Sequence, residues 1–315
     1  MTITQLKYIL AVAEYKNFTL ASEKCYVTQP TLSMQIQKLE EELNVILFNR
    51  KKKPIELTDV GKRIIEQAKV IVNESERIQD IVDQQKGYIG GEFKLGIIPT
   101  VMPLLLPLFL KTFLKKYPKV NLIIEELTTE EIINQIADGH LDAGIAATPL
   151  EKEFLKERVL YYEPFVGFIN NNHRLASRKT LDVDDLDIDD ILLLEDGHCF
   201  KDNILNLCKS YRKGEHSNFK IESGSFDTLI KLTKEELGMT LLPYLLTYDL
   251  SEEDKKLLRP FNKPTPSREI SIIHHKSQLK IQLIEALKEV IDSVVRGLIA
   301  FNDVAIISPV QKRKN

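Results

Sequence analysis

Cys199 and Cys208 lie nine positions apart in the stretch Glu195-Asp196-Gly197-His198-Cys199-Phe200-Lys201-Asp202-Asn203-Ile204-Leu205-Asn206-Leu207-Cys208, so two of only three cysteines in 315 residues share one short segment. Beyond Lys201 the spacing of Ile204, Leu207, Cys208 and Tyr211 puts an apolar face on a predicted helix over residues 203–211. Nine helical steps cover about 13.5 Å and turn about 900°, so the two side chains point in opposite directions. A disulfide needs Cα atoms within roughly 4.4–6.8 Å. Bonding this pair therefore means dismantling the helix first, which is the geometry of a switch. The alternative is two unrelated structural cysteines, because a free cysteine packs as a small hydrophobe and Cys208 on an apolar face is an ordinary core residue.

Composition limits what such a pair could serve. A chain of 315 residues is long enough for two or three domains with sizeable cores. Its 28% charged and 43% hydrophobic content fits a soluble globular protein. No apolar run approaches the ~20 residues of a membrane span, and no positive region followed by a long apolar core opens the sequence. Neither a membrane partner nor a secretory leader is therefore expected. Three cysteines argue against a secreted disulfide framework, so the expected compartment is the cytoplasm, where a disulfide is transient, catalytic or regulatory. No CxxC, metal-spaced His/Cys set or nucleotide-binding glycine loop is present, and no cofactor is expected. Residues 1–63 carry 10 Lys/Arg against 7 Asp/Glu, a surplus of three cations, and the overall net charge of −3 leaves −6 on the rest. A basic head on an acidic body suits a polyanion partner for the head.

The elements that would use such a switch begin with that head. Leu6, Ile9, Leu10 and Ala13 space a first helix; Thr19 is expected to cap a second over residues 20–25, with Cys25 in the core. After the link Tyr26-Val27-Thr28, Thr28 is a candidate cap for a third helix with Pro30 in its first turn. Leu32, Ile36, Leu39 and Leu43 form its buried face, and Thr31, Gln35 and Lys38 the opposite one, with Gln29 and Ser33 near the leading end. This is a helix-turn-helix pattern, in which Gln, Ser and Thr address base edges and Lys38 a phosphate. Arg50, Lys51, Lys52 and Lys53 then sit between two short apolar runs, as in a hairpin wing against a DNA backbone. The candidate DNA-binding residues are Thr28, Gln29, Pro30, Thr31, Ser33, Gln35, Lys38, Arg50 and Lys52. A small helical bundle with a polar surface and a solvated charged loop is the plainer alternative.

Thr58 should cap a long helix running to about Lys86, with Ile64, Ala68, Ile71, Ser75, Ile78 and Val82 at heptad spacing. Such a seam supplies the two-fold symmetry that a palindromic site demands. Gly87, Gly90 and Gly91 mark a boundary. Beyond it, strands and helices alternate: strands over 93–98, 120–126 and 141–147 with helices over 103–116 and 129–138. A second set follows, with strands over 191–194, 220–222 and 240–242 and helices over 203–211 and 228–237. A strand over 270–275 and a helix over 281–299 complete the first set. Alternation of this kind means parallel sheets flanked by helices, here in two lobes. Ligands in such sheets sit beyond strand ends near helix starts, where Thr100 and Thr129 fall, unless both simply cap helices. The expected organisation is a winged helix-turn-helix over 1–58, a dimerisation helix over 59–87, a two-lobed regulatory domain over 88–300 and a mobile tail over 301–315.

Thr19-Leu20-Ala21-Ser22-Glu23, Thr28-Gln29-Pro30-Thr31-Leu32-Ser33, Ile36-Gln37-Lys38-Leu39-Glu40, Leu47-Phe48-Asn49-Arg50 and Leu57-Thr58-Asp59-Val60-Gly61 resemble the head of LysR-type transcriptional regulators. That resemblance covers residues 1 to about 300 and implies an α/β protein with a winged helix-turn-helix, a linker helix and a two-lobed effector domain like periplasmic binding proteins. It also implies double-stranded DNA, RNA polymerase and further copies of the chain (a homodimer or homotetramer) as partners, and no enzymatic activity. Within the family, Leu194-Glu195-Asp196-Gly197-His198-Cys199, Asp202, Cys208, Gly96-Ile97-Ile98-Pro99-Thr100, Thr129, Gly238-Met239-Thr240-Leu241-Leu242-Pro243 and Pro266-Ser267-Arg268-Glu269-Ile270 resemble the hydrogen-peroxide sensors. The resemblance implies oxidation of Cys199 to a sulfenic acid, resolution by Cys208 and resetting by a thiol reductant. It implies a peroxide pocket of Thr100, Thr129 and His198, to which Asp202 and Arg268 are added as neighbours, Arg268 as the positive charge a thiolate wants. Two other readings stay open: a regulator with a small-molecule effector and passive cysteines, and a thiol peroxidase or other enzyme. A zinc site of His198, Cys199, Cys208 and His216 matches no usual ligand spacing.

Overall fold

The structure, a computed structural model, describes residues 1–85, 89–195, 199–208, 225–299 and 304–309. It divides into two compact units, Met1–Tyr88 and Ile89–Asn315.

In the first unit, apolar residues at helical spacing fold α1 (Ile3–Tyr15), α2 (Phe18–Lys24) and α3 (Gln29–Leu43) onto one core. The cap of α2 is Asn17, not Thr19: the Asn17 side-chain oxygen accepts from the N–H groups of Thr19 and Leu20, so the helix starts earlier than expected. Leu32, Ile36 and Leu39 are buried as expected, whereas Leu43 is exposed because α3 runs past the edge of the core. Strands β1 (Phe48–Asn49) and β2 (Glu56–Leu57) pair antiparallel and form the wing. Thr58 precedes α4 (Asp59–Gln85) and its hydroxyl accepts from the Gly61 N–H. Gly61 admits no side chain, since a Cβ there would lie 2.3 Å from the Leu47 carbonyl oxygen. The first turns of α4 join the head core through Ile65, Ala68 and Val72. Further along the heptad seam Ile78 is 66% and Val82 36% exposed. The expected helix end at Lys86 and the break at Gly87 lie outside the described residues.

In the second unit, β3 (Gly91–Ile97) pairs in parallel with β4 (Val120–Glu126) and β5 (Ala143–Thr148). Helices α5 (Met102–Lys116) and α6 (Thr129–Ala137) connect them. Gly144 lets α6 approach the sheet, because a Cβ would meet Ile132 Cγ2 at 2.3 Å. A 14-residue strand, β6 (Leu155–Phe168), then leaves this lobe for the next. The sequence pattern offered no sign of it, because its face alternation is broken by the register shift between Val159 and Tyr161.

The second lobe contains α7 (Cys199–Leu207), α8 (Phe226–Lys234), β7 (Thr240–Pro243), α9 (Glu252–Lys255) and β8 (Leu258–Pro260). Strand β9 (Thr265–His275) returns to the first lobe and is followed by α10 (Ile281–Val295). Sheet order is β4-β3-β5-β9-β6-β7, with β9 antiparallel to both β5 and β6, and β7 and β8 each antiparallel to β6. The expected second parallel repeat is thus not built among the described residues: Ile191 makes only an isolated bridge to Met239, and the expected strand over 220–222 lies outside them. Of the expected mobile tail, residues 304–309 belong to the fold and the rest lies outside the described residues. β10 (Val304–Ile306) pairs in parallel with Thr265–Ser267 of β9, and Ile307 packs on the second-lobe core. Each lobe has its own core, the first around Phe93, Leu95, Ile97, Phe109 and Ile272, the second around Phe165, Leu181, Phe200 and Leu241.

Candidate functional site

Cys199 is the first residue of α7, and Cys208 closes the same helix, its N–H reaching the Ile204 carbonyl. All three cysteines are free thiols. Cys199 packs into the first-lobe core and Cys208 into the second-lobe core, so the helix axis separates two buried thiols by about 13.5 Å. That separation also disposes of the zinc alternative: ligands held at about 2.3 Å from one ion cannot be this far apart. His198 and His216 lie outside the described residues, as does Tyr211.

The surroundings of Cys199 come from four elements. Thr129, first residue of α6, donates its hydroxyl to Cys199 Sγ at 3.4 Å. Its side chain is free for this because the preceding residue, Thr128, makes the helix-capping box with Glu131. The Ala147 N–H at the end of β5 lies near the sulfur and favours its charged form. From β9, Arg268 contributes a guanidinium that is wholly buried. Its Nη1 donates to Thr100 Oγ1 at 2.9 Å and its Nη2 to the Thr100 carbonyl at 3.1 Å. On its other side Nε and Nη2 donate to Glu163 Oε2 at 2.9 and 2.7 Å. The guanidinium lies over the Phe200 ring at 4.9 Å from its centroid, within cation–π range. Phe200 itself meets Phe165 and Phe226 edge-on.

A helix start favours a thiolate, but at Cys199 burial prevails. Desolvation pushes the Cys199 thiol up from its ordinary value; the Thr129 hydroxyl, the Arg268 charge and the Ala147 N–H pull it down, and Asp202 adds slightly to the rise. Burial also pushes Cys208 up, to about 11, with a further contribution from Asp187. Both thiols rest protonated at neutral pH. Thr129, Arg268 and Asp202 act on Cys199 and Thr100 is joined to them through Arg268, while Glu163, Phe200 and the Ala147 N–H are the participants sequence reasoning missed. Glu163 carried one visible signal: it is the only charge in the run Val159–Ile169.

In the head, Thr28, Gln29, Pro30, Lys38, Arg50 and Lys52 are exposed, and Thr31, Ser33 and Gln35 are half-buried. Thr28 holds its hydroxyl 2.8 Å from that of Thr31, and Gln35 accepts from the Gln5 amide. Arg50 braces the wing: it donates to Ser33 Oγ at 3.2 Å and to Glu40 Oε2 at 2.9 Å, and lies over the Phe18 ring. Glu40 Oε1 also accepts from the Leu47 N–H, tying the start of the wing to α3. Tyr26, 96% exposed and in the left-handed region at φ 55°, and Met34 on the outer face of α3 extend the same surface. Their apolar character hid them from a search for polar base readers.

Two family models match this arrangement. A bacterial regulatory helix-turn-helix protein of the lysR family matches residues 3–62, and a LysR substrate-binding domain matches residues 86–296. The chain belongs to the LysR family. As a LysR-family regulator it combines a winged helix-turn-helix and linker helix with a two-lobed domain of the periplasmic-binding-protein type. It is 33% identical over 297 residues to a hydrogen peroxide-inducible genes activator of Pectobacterium carotovorum subsp. carotovorum, an alignment covering 94% of this chain and 98% of that one. Among solved structures it resembles a full-length OxyR of Pseudomonas aeruginosa carrying a cysteine-to-aspartate change, with a TM-score of 0.73, 31% identity and coverage of 93% and 98% of the two chains. A hydrogen-peroxide-bound cysteine mutant of OxyR from Corynebacterium glutamicum gives a TM-score of 0.63 at 27% identity, covering 96% and 98%. No described helix of this LysR-family chain is long and apolar enough to cross a membrane.

Proposed function

We propose that this LysR-family protein is a peroxide-responsive transcriptional regulator in which Cys199 is the reacting thiol and Cys208 resolves it. The observation that carries the reading is the placement of Cys199 at one end of α7 against Thr129 and Arg268, with a second free thiol at the other end of the same helix. Cys199 sulfur attacks one oxygen of H₂O₂; an S–O bond forms, the O–O bond breaks, and the departing oxygen leaves as water with the thiol proton. The sulfenic acid then condenses with the Cys208 thiol, forming the S–S bond and releasing a second water. Thr100, Thr129 and His198 orient the peroxide, Arg268 stabilises negative charge on sulfur and on the leaving oxygen, and Asp202 borders the pocket.

The disulfide requires α7 to unwind, and that remodelling alters how the protomers of a dimer or tetramer present their heads to DNA. Thr28, Gln29, Pro30, Thr31, Ser33, Gln35 and Lys38 form the reading edge, with Lys52 on the backbone and Arg50 bracing the wing. The working organisation is a head over 1–58, a dimerisation helix over 59–87 and a regulatory domain over 88–300. The protein acts in the cytoplasm, engages RNA polymerase at the promoter and is reset by a thiol reductant. Footprinting on its own promoter region tests the reading: peroxide should change the wild-type protection pattern and leave that of Cys199→Ser unaltered. A peroxide-dependent change that persists in Cys199→Ser would remove Cys199 from the reaction.

A further inference from the structure

Glu163 is a carboxylate placed where apolar packing would be expected. It sits on β6 between Tyr162 and Pro164, and its side chain, like that of Arg268, is only 1% exposed. Both its oxygens are committed. Oε2 accepts from Nε and Nη2 of Arg268, and Oε1 accepts from the Leu245 N–H just beyond β7, at 3.1 Å. Glu163 is thus tied to the crossover strand β9 on one side and to the segment just after β7 on the other.

Arg268 is constrained by this in two ways. Its orientation is fixed, because three of its nitrogens are held by Glu163 and Thr100 while its face rests on Phe200, the residue adjoining Cys199. Its charge is also compensated. A lone buried guanidinium attracts a nearby thiolate strongly, since little water screens it. With Glu163 in contact, the pair is neutral as a unit and that attraction is cut back. Among the described residues, the groups acting on Cys199 are Thr129 from α6, the Ala147 N–H from β5, Arg268 from β9 and Asp202 from α7 itself. Tyr161, two residues from Glu163, is buried with its hydroxyl unpartnered among the described residues, and burial followed by the Glu163 charge drives its phenol well above the ordinary range. It too is therefore neutral.

We propose that Glu163 is a positioning residue for Cys199: it aims the Arg268 guanidinium and offsets its charge, so that the resting pocket holds a neutral thiol beside a preformed cation. Both Glu163 oxygens are taken up by Arg268 and Leu245, so its influence on the sulfur passes through Arg268. This inference rests on the reading of Cys199 as the reacting thiol, and its test uses an alkylating agent rather than peroxide, so the two can fail separately.

The test is the pH profile of iodoacetamide modification of the full-length reduced protein, read separately at Cys199 and Cys208 by peptide mass spectrometry. Glu163→Gln removes the charge and keeps the shape and one acceptor; with that oxygen on Arg268 the guanidinium stays aimed, and the Leu245 N–H gives up its partner. The Cys199 midpoint should move at least about one pH unit toward acid, a tenfold rise in thiolate below the midpoint. Cys208, in the other core, should keep its midpoint. Glu163→Asp, which retains the charge, should return the Cys199 profile toward wild type. An unmoved Cys199 midpoint overturns the proposal, and so does a parallel fall at both cysteines, which is what general loosening of the lobes would give. If Glu163→Gln does not fold, the neutral pair Glu163→Gln/Arg268→Gln serves instead. Because the pair is neutral as a unit, its removal should move the Cys199 midpoint toward alkali much less than Arg268→Gln alone, which leaves the Glu163 charge uncompensated; equal shifts in the two variants contradict the inference.

Discussion

At the scale of single residues, the balance around the two thiols is decided by burial. Cys199 has a hydroxyl, an N–H and a cation in attendance, and desolvation still outweighs them. Cys208 has no such help among the described residues and is pushed to about 11 from an ordinary 9.0. The sign of the resulting stability change follows from proton binding. Between those two values the unfolded chain has released the Cys208 proton while the folded chain retains it, so stability is intact below the unfolded value and is lost as pH rises. A reduced wild-type protein should lose on the order of 2–3 kcal/mol between about pH 9 and pH 11 from this group, because each tenfold difference in proton affinity is worth about 1.36 kcal/mol. Cys208→Ser should flatten that part of the curve in urea-unfolding measurements, and equal slopes for both proteins would contradict the assignment. Residue types made the two cysteines and the two threonines legible in the sequence, because each adjoins a predicted helix start or face. Glu163 was not, since an acid inside a β-branched and aromatic run declares a buried partner without saying which of the chain's 43 cations it is.

At the scale of elements, α7 is the part that must yield. It is gripped from outside by the C-terminal strand: Asn203 Nδ2 donates to the Ile307 carbonyl at 2.6 Å and Asn206 Nδ2 to the Ser308 carbonyl at 2.8 Å. β10 is in turn held on β9 beside Arg268. Both asparagines lie between the cysteines, so unwinding the helix means releasing this grip. Replacing both, Asn203→Ala with Asn206→Ala, should weaken α7 by about 1–3 kcal/mol, as expected for two hydrogen bonds. Amide exchange across residues 199–208 should quicken accordingly and the disulfide should form at a lower peroxide dose. Unaltered exchange would show that the strand does not brace the helix. Helices were readable here because 3.6-residue periodicity survives in α3, α6 and α10. Strands β6, β8 and β10 were not, as β6 changes register midway and the other two contain only three residues each.

At the scale of the whole molecule, a LysR-family regulator needs paired heads, and α4 offers a seam on which to pair them. Ile65, Ala68 and Val72 are consumed by the head's own core, while Ile78 and Val82 remain exposed within one chain. Ile78→Glu should therefore shift the protein toward monomer in sedimentation and weaken binding to a two-half-site operator far more than to a single half-site, because two-fold symmetry is lost. An unchanged sedimentation coefficient would locate the dimer contact elsewhere. The heptad spacing was visible in the sequence, but which end of it was spoken for became apparent only from the packing of α1 against α4. The whole switch turns on the chemical link between the two ends of α7. Stoichiometric hydrogen peroxide added to the intact reduced protein, followed by peptide mapping under non-reducing conditions, tests it most directly. We expect one intramolecular Cys199–Cys208 disulfide with Cys25 still a free thiol; two unlinked thiols at positions 199 and 208 after that treatment would contradict it.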